Sequence, residues 1–260
     1  MQTGENVNLF DLTGKTAIIT GANSGIGLGM GIGLAKAGAN VAIIGRNKKK
    51  NNEALKKLQR LGAKAISIQT DVRCRLSAKS AIKEVRREFG QINILINNAG
   101  TTIRKPAERL TEKEWRFVLD TNLTSTFIWS INCYPEFKKA GGGKILNNGS
   151  MLSLFGSPWG SAYGASKGGV VQLTRSHATA WASDNIQVNC FLPGWIDTPL
   201  TEKARTKMPD LDKKILSRTP IKRWGKPQDL EGIAIFLASD ASNFITGTAI
   251  PIDGGFSISI

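Results

Sequence analysis

The stretch Thr16-Ala17-Ile18-Ile19-Thr20-Gly21-Ala22-Asn23-Ser24-Gly25-Ile26-Gly27 passes from a short β-branched run into a glycine-rich turn, and a helical pattern, Gly25 to Ala37, follows. A short apolar strand that hands the chain to a helix N-terminus is the opening half of a βαβ unit. Glycine at such a turn lets the backbone come close to a ligand and leaves amide N–H groups free at the helix start, which is what a phosphate needs. The G-x-G-x-x-G spacing is not met. Gly25, Gly27, Gly29, Gly31 and Gly33 alternate, and Met30, Ile32, Leu34 and Lys36 stand where the last glycine of each register belongs. The glycines alone leave phosphate binding and close helix packing as equal readings.

Outward from this turn the alternation continues. Strands are expected at Thr16–Thr20, Asn40–Ile44, Ala65–Gln69, Ile92–Ile96, Gly143–Asn148, Ile186–Phe191 and Ala249–Ile252. Helices are expected near Gly25–Ala37, Lys48–Gly62, Ala78–Phe89, Glu112–Lys139, Ala162–Ser183 and Gln228–Ala238. Nearly continuous apolar strands alternating with helices predict an α/β fold, one doubly wound Rossmann-type parallel sheet of seven strands with helices on both faces. The 260 residues, 41% hydrophobic, suffice for one full core, so a single domain is expected. The least regular part, residues 193 to 227, carries Pro193, Pro199, Pro209, Pro220 and Pro227 just after the sixth strand. Ligands of open α/β sheets bind beyond the carboxyl ends of the strands, so this segment reads as a substrate-side lid.

Composition narrows the function. No apolar run is long enough to span a bilayer, and the N-terminus has neither a basic region nor an apolar signal core, so a cytoplasmic protein is expected. Three separated cysteines make a disulfide framework a poor reading, and a single histidine leaves a poor ligand set for zinc. A Ser/His/Asp hydrolase would have to use His177, and the nucleophile-elbow pattern is missing. The net charge is +15, and residues 46 to 87 hold 14 basic against 3 acidic side chains. Solvated faces of two amphipathic helices account for this excess more simply than a nucleic-acid surface.

Thr20-Gly21 followed by Gly25 and Gly27, Asn97-Asn98-Ala99-Gly100 after the fourth strand, then Ser150, Tyr163, Lys167, Pro193-Gly194 and Thr198 occur in one order. From about Leu12 to the C-terminus the chain resembles the classical short-chain dehydrogenase/reductase family. The resemblance implies a nicotinamide dinucleotide held by Gly21, Asn23, Ser24, Gly25, Ile26 and Gly27, with Asp71-Val72 at the adenine and Asn98, Ala99 and Gly100 lining the crevice. It places Pro193, Gly194, Ile196 and Thr198 at the nicotinamide carboxamide, and it implies a homotetramer. The second strand ends Ile44-Gly45-Arg46-Asn47 without a carboxylate, and an arginine there suits a ribose 2′-phosphate, so NADP(H) is favoured over NAD(H).

Tyr163 and Lys167, four apart on a helical pattern, share one face. An ammonium near a phenol of ordinary pKa near 10 favours its phenolate, which makes the pair a proton-transfer group. Together with the resemblance, this implies hydride transfer between a secondary alcohol and a ketone. Tyr163 would move the proton, Ser150 polarise the oxygen, Lys167 tune Tyr163 and hold the nicotinamide ribose, and Asn122 hold a relay water. Three positions depart from the family pattern: Asn148 and Leu192 replace smaller or apolar residues, and Ala180 stands where many relatives have glutamate. Ile103-Arg104-Lys105-Pro106, Ser150-Met151-Leu152-Ser153 and Thr219 to Pro227 look most like the branch that acts on gluconate and keto-deoxy-gluconate. A sugar-acid substrate follows, with Arg104 as a carboxylate partner and Met151 and Trp195 as pocket walls. The resemblance to 3-oxoacyl carrier-protein reductases leaves a thioester or general ketone as a second reading. A non-catalytic dinucleotide sensor or nucleic-acid binder is a third, which has no need of Asn122, Ser150, Tyr163 and Lys167 together.

Overall fold

The computed structural model describes residues 8–207 and 210–259. Its strands are β1 (Thr16–Thr20), β2 (Asn40–Gly45), β3 (Ala65–Gln69), β4 (Ile94–Asn97), β5 (Gly143–Asn148), β6 (Ile186–Pro193) and β7 (Ala249–Ile252). They form one parallel sheet in the order β3-β2-β1-β4-β5-β6-β7. Successive side chains alternate between the two faces. Ala17, Ile19, Val41, Ile43, Ile94 and Ile96 pack toward the helices α1 (Gly25–Lys36), α2 (Lys48–Gln59) and α9 (Glu231–Ala238). Ile18, Ala42, Ile44, Leu95 and Ile145 pack toward α3 (Arg75–Phe89), α5 (Ser125–Lys139) and α6 (Ser161–Trp181), where Trp129 and Phe137 are fully buried. Helices on both faces explain why the strands are apolar throughout rather than alternating.

From β1 the chain turns one way to β2 and β3, then crosses back to β4 on the other side. This reversal splays the loops apart beyond the carboxyl ends of β1 and β4 and opens a crevice there. The basic residues of α2 and α3 lie on exposed outer faces, on opposite sides of the sheet, as solvated helix surfaces. Among the described residues no helix is long and apolar enough to cross a membrane.

Three expectations change. The fourth strand begins at Ile94, not Ile92, and the sixth continues to Pro193. The long helix expected over 112–139 is interrupted: α4 (Glu112–Leu119) leads into a π-helical turn, Asp120–Thr124, before α5. The hydroxyls of Thr121, Ser125 and Thr126 donate back to the carbonyls of Phe117, Thr121 and Asn122 at 2.7, 2.7 and 2.8 Å. Side chains that compete for helix carbonyls in this way loosen the i→i+4 ladder, and single π turns of this kind recur at functional sites. Finally, the proline-rich segment is not without structure. It contains α7 (Pro199–Lys207) and α8 (Leu211–Arg218), stabilised by a small apolar cluster of Leu211, Ile215 and Trp224. The Arg205 guanidinium lies 3.8 Å from the centre of the Trp224 ring and pairs with Asp197 and Asp212 at 2.9 and 3.0 Å.

Candidate active site

At the carboxyl end of β1, the Gly21 N–H donates to Ile44 O at 2.7 Å, docking the turn on β2. Gly21 has φ +68°, and a Cβ there would come within 2.9 Å of Ala99 Cα, so the β1 turn touches the Asn98–Gly100 turn directly. Thr20 Oγ1 accepts from the N–H groups of Asn98 and Ala99 at 3.0 and 3.1 Å, fixing the same junction. A Cβ on Gly27 would lie 2.4 Å from Asn98 Nδ2. Gly29 and Gly33 answer to packing instead, because a Cβ would meet Pro227 O at 2.4 Å and Glu231 at 2.8 Å. The alternating glycines thus divide between a close turn and close helix packing. Ser24 precedes α1 in an extended conformation without a side-chain cap, so its hydroxyl does not occupy the first-turn amides.

A cavity of about 670 Å³ opens beyond these strand ends. Its lining includes Gly21, Asn23, Ser24, Gly25, Ile26, Arg46, Asp71, Val72, Asn98, Ala99, Gly100, Ser150, Tyr163, Lys167, Pro193, Gly194, Ile196 and Thr198. The residues expected from sequence to hold a cofactor therefore meet on one wall system, except Gly27, which lies buried behind it. An uncapped helix N-terminus, glycines whose Cβ would fill the turn, and exposed Arg46 and Lys50 at the far end fit an elongated ligand with a central phosphate group. Asp71 is held by Arg73, with guanidinium contacts of 2.6 to 3.2 Å, and this hydrogen bonding holds its carboxyl at about 2.

At the other end of the cavity, Ser150 follows β5. Its Oγ accepts from Leu152 N–H at 3.1 Å, and its own N–H donates to Ser153 Oγ at 3.1 Å. Ser153 Oγ donates in turn to Lys167 O at 2.8 Å, tying this turn to α6. Lys167 Nζ donates to Asn148 O at 2.5 Å and sits 5.7 Å from the centre of the Tyr163 ring. Burial lowers the Lys167 ammonium to about 8. The Tyr163 phenol is shifted upward by burial, while the Ser150 hydroxyl and the Arg104 charge act in the opposite direction. Desolvation outweighs these two influences, so the net shift of the Tyr163 phenol is upward.

Asn122, in the π turn, lies beneath the cavity rather than on its wall. Its Oδ1 accepts from Thr101 N–H at 2.8 Å, and its Nδ2 donates to Thr101 O at 3.0 Å and Ser166 Oγ at 2.9 Å. It clamps the loop after β4 to α6. Arg104 is exposed and does not line the cavity. Met151, expected as a pocket wall, packs instead with Val170, Val171, Cys190 and Leu192, because the turn after Ser150 directs it into the core. Trp195 also lies off the lining, edge-on to Trp224 at 5.6 Å. His177 stacks on Trp181 at 4.1 Å away from the cavity and cannot serve Ser150 as a base. Sequence reasoning named neither Lys50 nor Arg73, and it marked Asn148 only as a departure from the family pattern and Pro199–Thr201 only as part of the lid segment. Lys50 was legible in principle as a basic residue in the first turn of the helix after Arg46, whereas Pro199–Thr201 arrives from a segment with no periodic signal.

The family profile described as enoyl-(acyl carrier protein) reductase matches residues 21–257. The 2-dehydro-3-deoxy-D-gluconate 5-dehydrogenase of Dickeya dadantii is 41% identical over 251 residues, covering 96% of this chain and 98% of its own. The 3-oxoacyl-(acyl-carrier-protein) reductase of Thermotoga maritima is 38% identical over 95% of this chain and 99% of its own. A crystal structure of a gluconate 5-dehydrogenase from Burkholderia cenocepacia, in complex with NADP and tartrate, superposes with a TM-score of 0.92 at 35% identity, covering 97% of this chain and 99% of that one.

Proposed function

The chain belongs to the short-chain dehydrogenase/reductase family, and from that premise we propose that it interconverts a hydroxyl and a keto group on a sugar acid, with NADP(H) as the preferred dinucleotide. The broader activity is that of an NAD(P)-dependent oxidoreductase acting on a CH–OH group. The observation that carries the reading is the meeting of Ser150, Tyr163 and Lys167 at one end of a cavity whose other end holds the uncapped α1 N-terminus and Arg46. Gly21 to Ile26 would hold the pyrophosphate, and Arg46 with Lys50 the 2′-phosphate. Asp71-Val72 would hold the adenine, Asn98 to Gly100 the crevice wall, and Pro193 to Thr198 the carboxamide.

When bound, the nicotinamide ring supplies or accepts a hydride at C4. Everything else falls to the chain. Ser150 donates a hydrogen bond to the substrate oxygen. The Tyr163 phenol gives its proton to that oxygen as the carbonyl carbon is reduced, and in the oxidative direction the Tyr163 phenolate takes the proton of the alcohol. Lys167 keeps a positive charge beside the phenol and holds the ribose. Asn122 positions both by fixing the loop at Thr101 against α6. The segment 193–227 acts as the lid, since Pro199 to Thr201 already form a wall of the cavity. The working assembly is a homotetramer, which light scattering tests.

The substrate class rests on relatives named for gluconate and deoxy-gluconate chemistry. The experiment is oxidation of NADPH and NADH, followed by nicotinamide absorbance, with 5-keto-gluconate, a 2-keto-3-deoxy sugar acid and an acetoacetyl thioester. Turnover of a keto sugar acid well above the thioester, faster with NADPH, is expected. A preference for the thioester overturns the sugar-acid reading, and equal use of NADH overturns the cofactor preference.

A further inference from the structure

A second cavity, of about 400 Å³, lies in the groove between α3 and α5, and none of its lining residues lines the cavity at the strand ends. Its α3 wall carries Arg75, Lys79, Lys83 and Arg86, all exposed. Four residues of helix advance about 6 Å and return to nearly the same face, so Arg75, Lys79 and Lys83 form one row. The lysines that open α2 are arranged differently: Lys48, Lys49 and Lys50 are consecutive and fan around the helix axis. Like charges four apart repel and cost a helix stability. The α5 wall does not neutralise this row. Glu136, the one carboxylate among the described lining residues, is engaged by Arg86 at 3.1 Å and by Lys139 at 2.7 Å. Among the described residues, the side chains of Arg75, Lys79 and Lys83 have no ion-pair or hydrogen-bond partner.

Beside the row the groove is apolar. Ile82 is buried at its floor, Ile131 is half-buried, and Pro135, inside α5, presents an exposed rigid ring. An exposed ion pair is worth little by itself, so a ligand that stays must use the cations and the apolar seat together. Single-stranded nucleic acid matches poorly. The described lining has no aromatic side chain on which a base could stack. Asn132 commits its Nδ2 to Ile128 O at 2.6 Å, so what it and Glu136 have left on the α5 wall is oxygen, which repels phosphate.

We propose that the α3–α5 groove docks an acidic amphipathic helix of another protein, with carboxylates at four-residue spacing on Arg75, Lys79 and Lys83 and its apolar edge on Ile131 and Pro135. The repeats agree because both are α-helices, in which side chains four apart recur about every 6 Å. This surface is independent of the dinucleotide reading above.

The test is fluorescence anisotropy on the intact assembly with a labelled, helix-stabilised synthetic peptide that carries Glu at four-residue spacing and Leu along the adjoining edge. A peptide of the same composition in scrambled order and a single-stranded oligonucleotide of equal charge are the comparisons. The ordered peptide is expected to bind about tenfold more tightly than either, or better, and to weaken as salt is raised. It should slow hydrogen exchange in residues 75–86 and 131–136 above all. Combining Lys79→Glu with Lys83→Glu should weaken it about tenfold or more and leave dinucleotide binding unchanged. That variant should melt no lower than the wild type, because it breaks the like-charge row. If it does not fold, Lys79→Gln with Lys83→Gln carries the comparison, with a loss of about threefold. Equal binding of the scrambled peptide overturns the proposal, since charge alone then explains the contact. Tighter binding of the oligonucleotide overturns it in favour of nucleic acid. Absence of binding, or the same affinity in wild type and variants, also overturns it.

Discussion

At the amino ends of the strands, the buried Thr16 N–H and Lys144 ammonium are tied to other protein groups. The Thr16 N–H donates to Asn93 Oδ1 at 3.0 Å, and Lys144 Nζ donates to Asn243 Oδ1 at 2.7 Å and Ser242 Oγ at 3.3 Å. At the carboxyl ends of the same sheet, α1 starts without a side-chain cap, and Arg46 and Lys50 border a cavity. Both ends contain polar side chains and a buried lysine, so polarity does not distinguish them. What does is whether the hydrogen bonding is finished. A strand end whose donors and acceptors are left waiting is organised for a ligand, and one that closes on itself is organised for stability.

The largest test of this contrast is Tyr163→Phe. It removes a proton donor from the unfinished end without altering packing. It is expected to cut turnover about 10²- to 10⁴-fold with NADPH affinity unchanged in binding titrations. Near-normal turnover would remove Tyr163 from the chemistry. Next comes Gly27→Ala, whose Cβ would lie 2.4 Å from Asn98 Nδ2 and 2.6 Å from Gly21 O. Overpacking of this kind costs about 1–3 kcal/mol, so a lower melting temperature and weaker dinucleotide binding are expected together. Gly232→Ala, on α9 where a Cβ meets nothing within 4 Å, should stabilise by about 0.5–1 kcal/mol and leave binding intact. Similar losses from both substitutions would show that the glycines serve helix packing alone.

Arg46→Asp sharpens the contrast within the cavity. A charge-assisted contact to a 2′-phosphate is worth about 1.5–3 kcal/mol, so NADPH should weaken about 10- to 100-fold while NADH changes little. Equal losses would place the 2′-phosphate elsewhere.

How much of this was visible beforehand depends on how local the signal is. The strands, the helices and the walls from Gly21 to Ile26 and from Asn98 to Gly100 follow from periodicity and short spacings, which a sequence carries within a dozen residues. The π turn at Asp120–Thr124 was not visible, because the 3.6 period runs through it and only the back-bonding hydroxyls betray it. Met151 shares its local sequence with Ser150, yet the backbone turn sends one side chain to the cavity and the other into the core. The upward shift of Tyr163 is not legible in the sequence for the same reason. Spacing reveals that Lys167 is near, but burial is a tertiary property, and it decides the direction of the shift.

The smallest expected effect lies at the finished end. Lys144 is buried near the start of β5, and burial lowers its ammonium from the ordinary 10.5 to about 8. In the unfolded chain the group keeps its proton up to about 10.5, so between pH 8 and 10.5 the unfolded state binds more protons and the native state gains stability as pH rises. Below pH 8 both states are charged and the full cost of burying the ammonium is present. Lys144→Met removes that cost, and water can reach exposed Asn243 in place of Nζ. The variant is therefore expected to melt about 2–4 °C above the wild type at pH 7. Its advantage should shrink as pH climbs from 8 toward 10, and turnover should be unaffected. Lys167, with a similar shift at the other end of β5, contributes to both proteins and cancels in the difference. A loss of turnover would show that the amino ends are coupled to the cavity. An advantage constant across this pH range would show that packing, and not the buried charge, sets the effect.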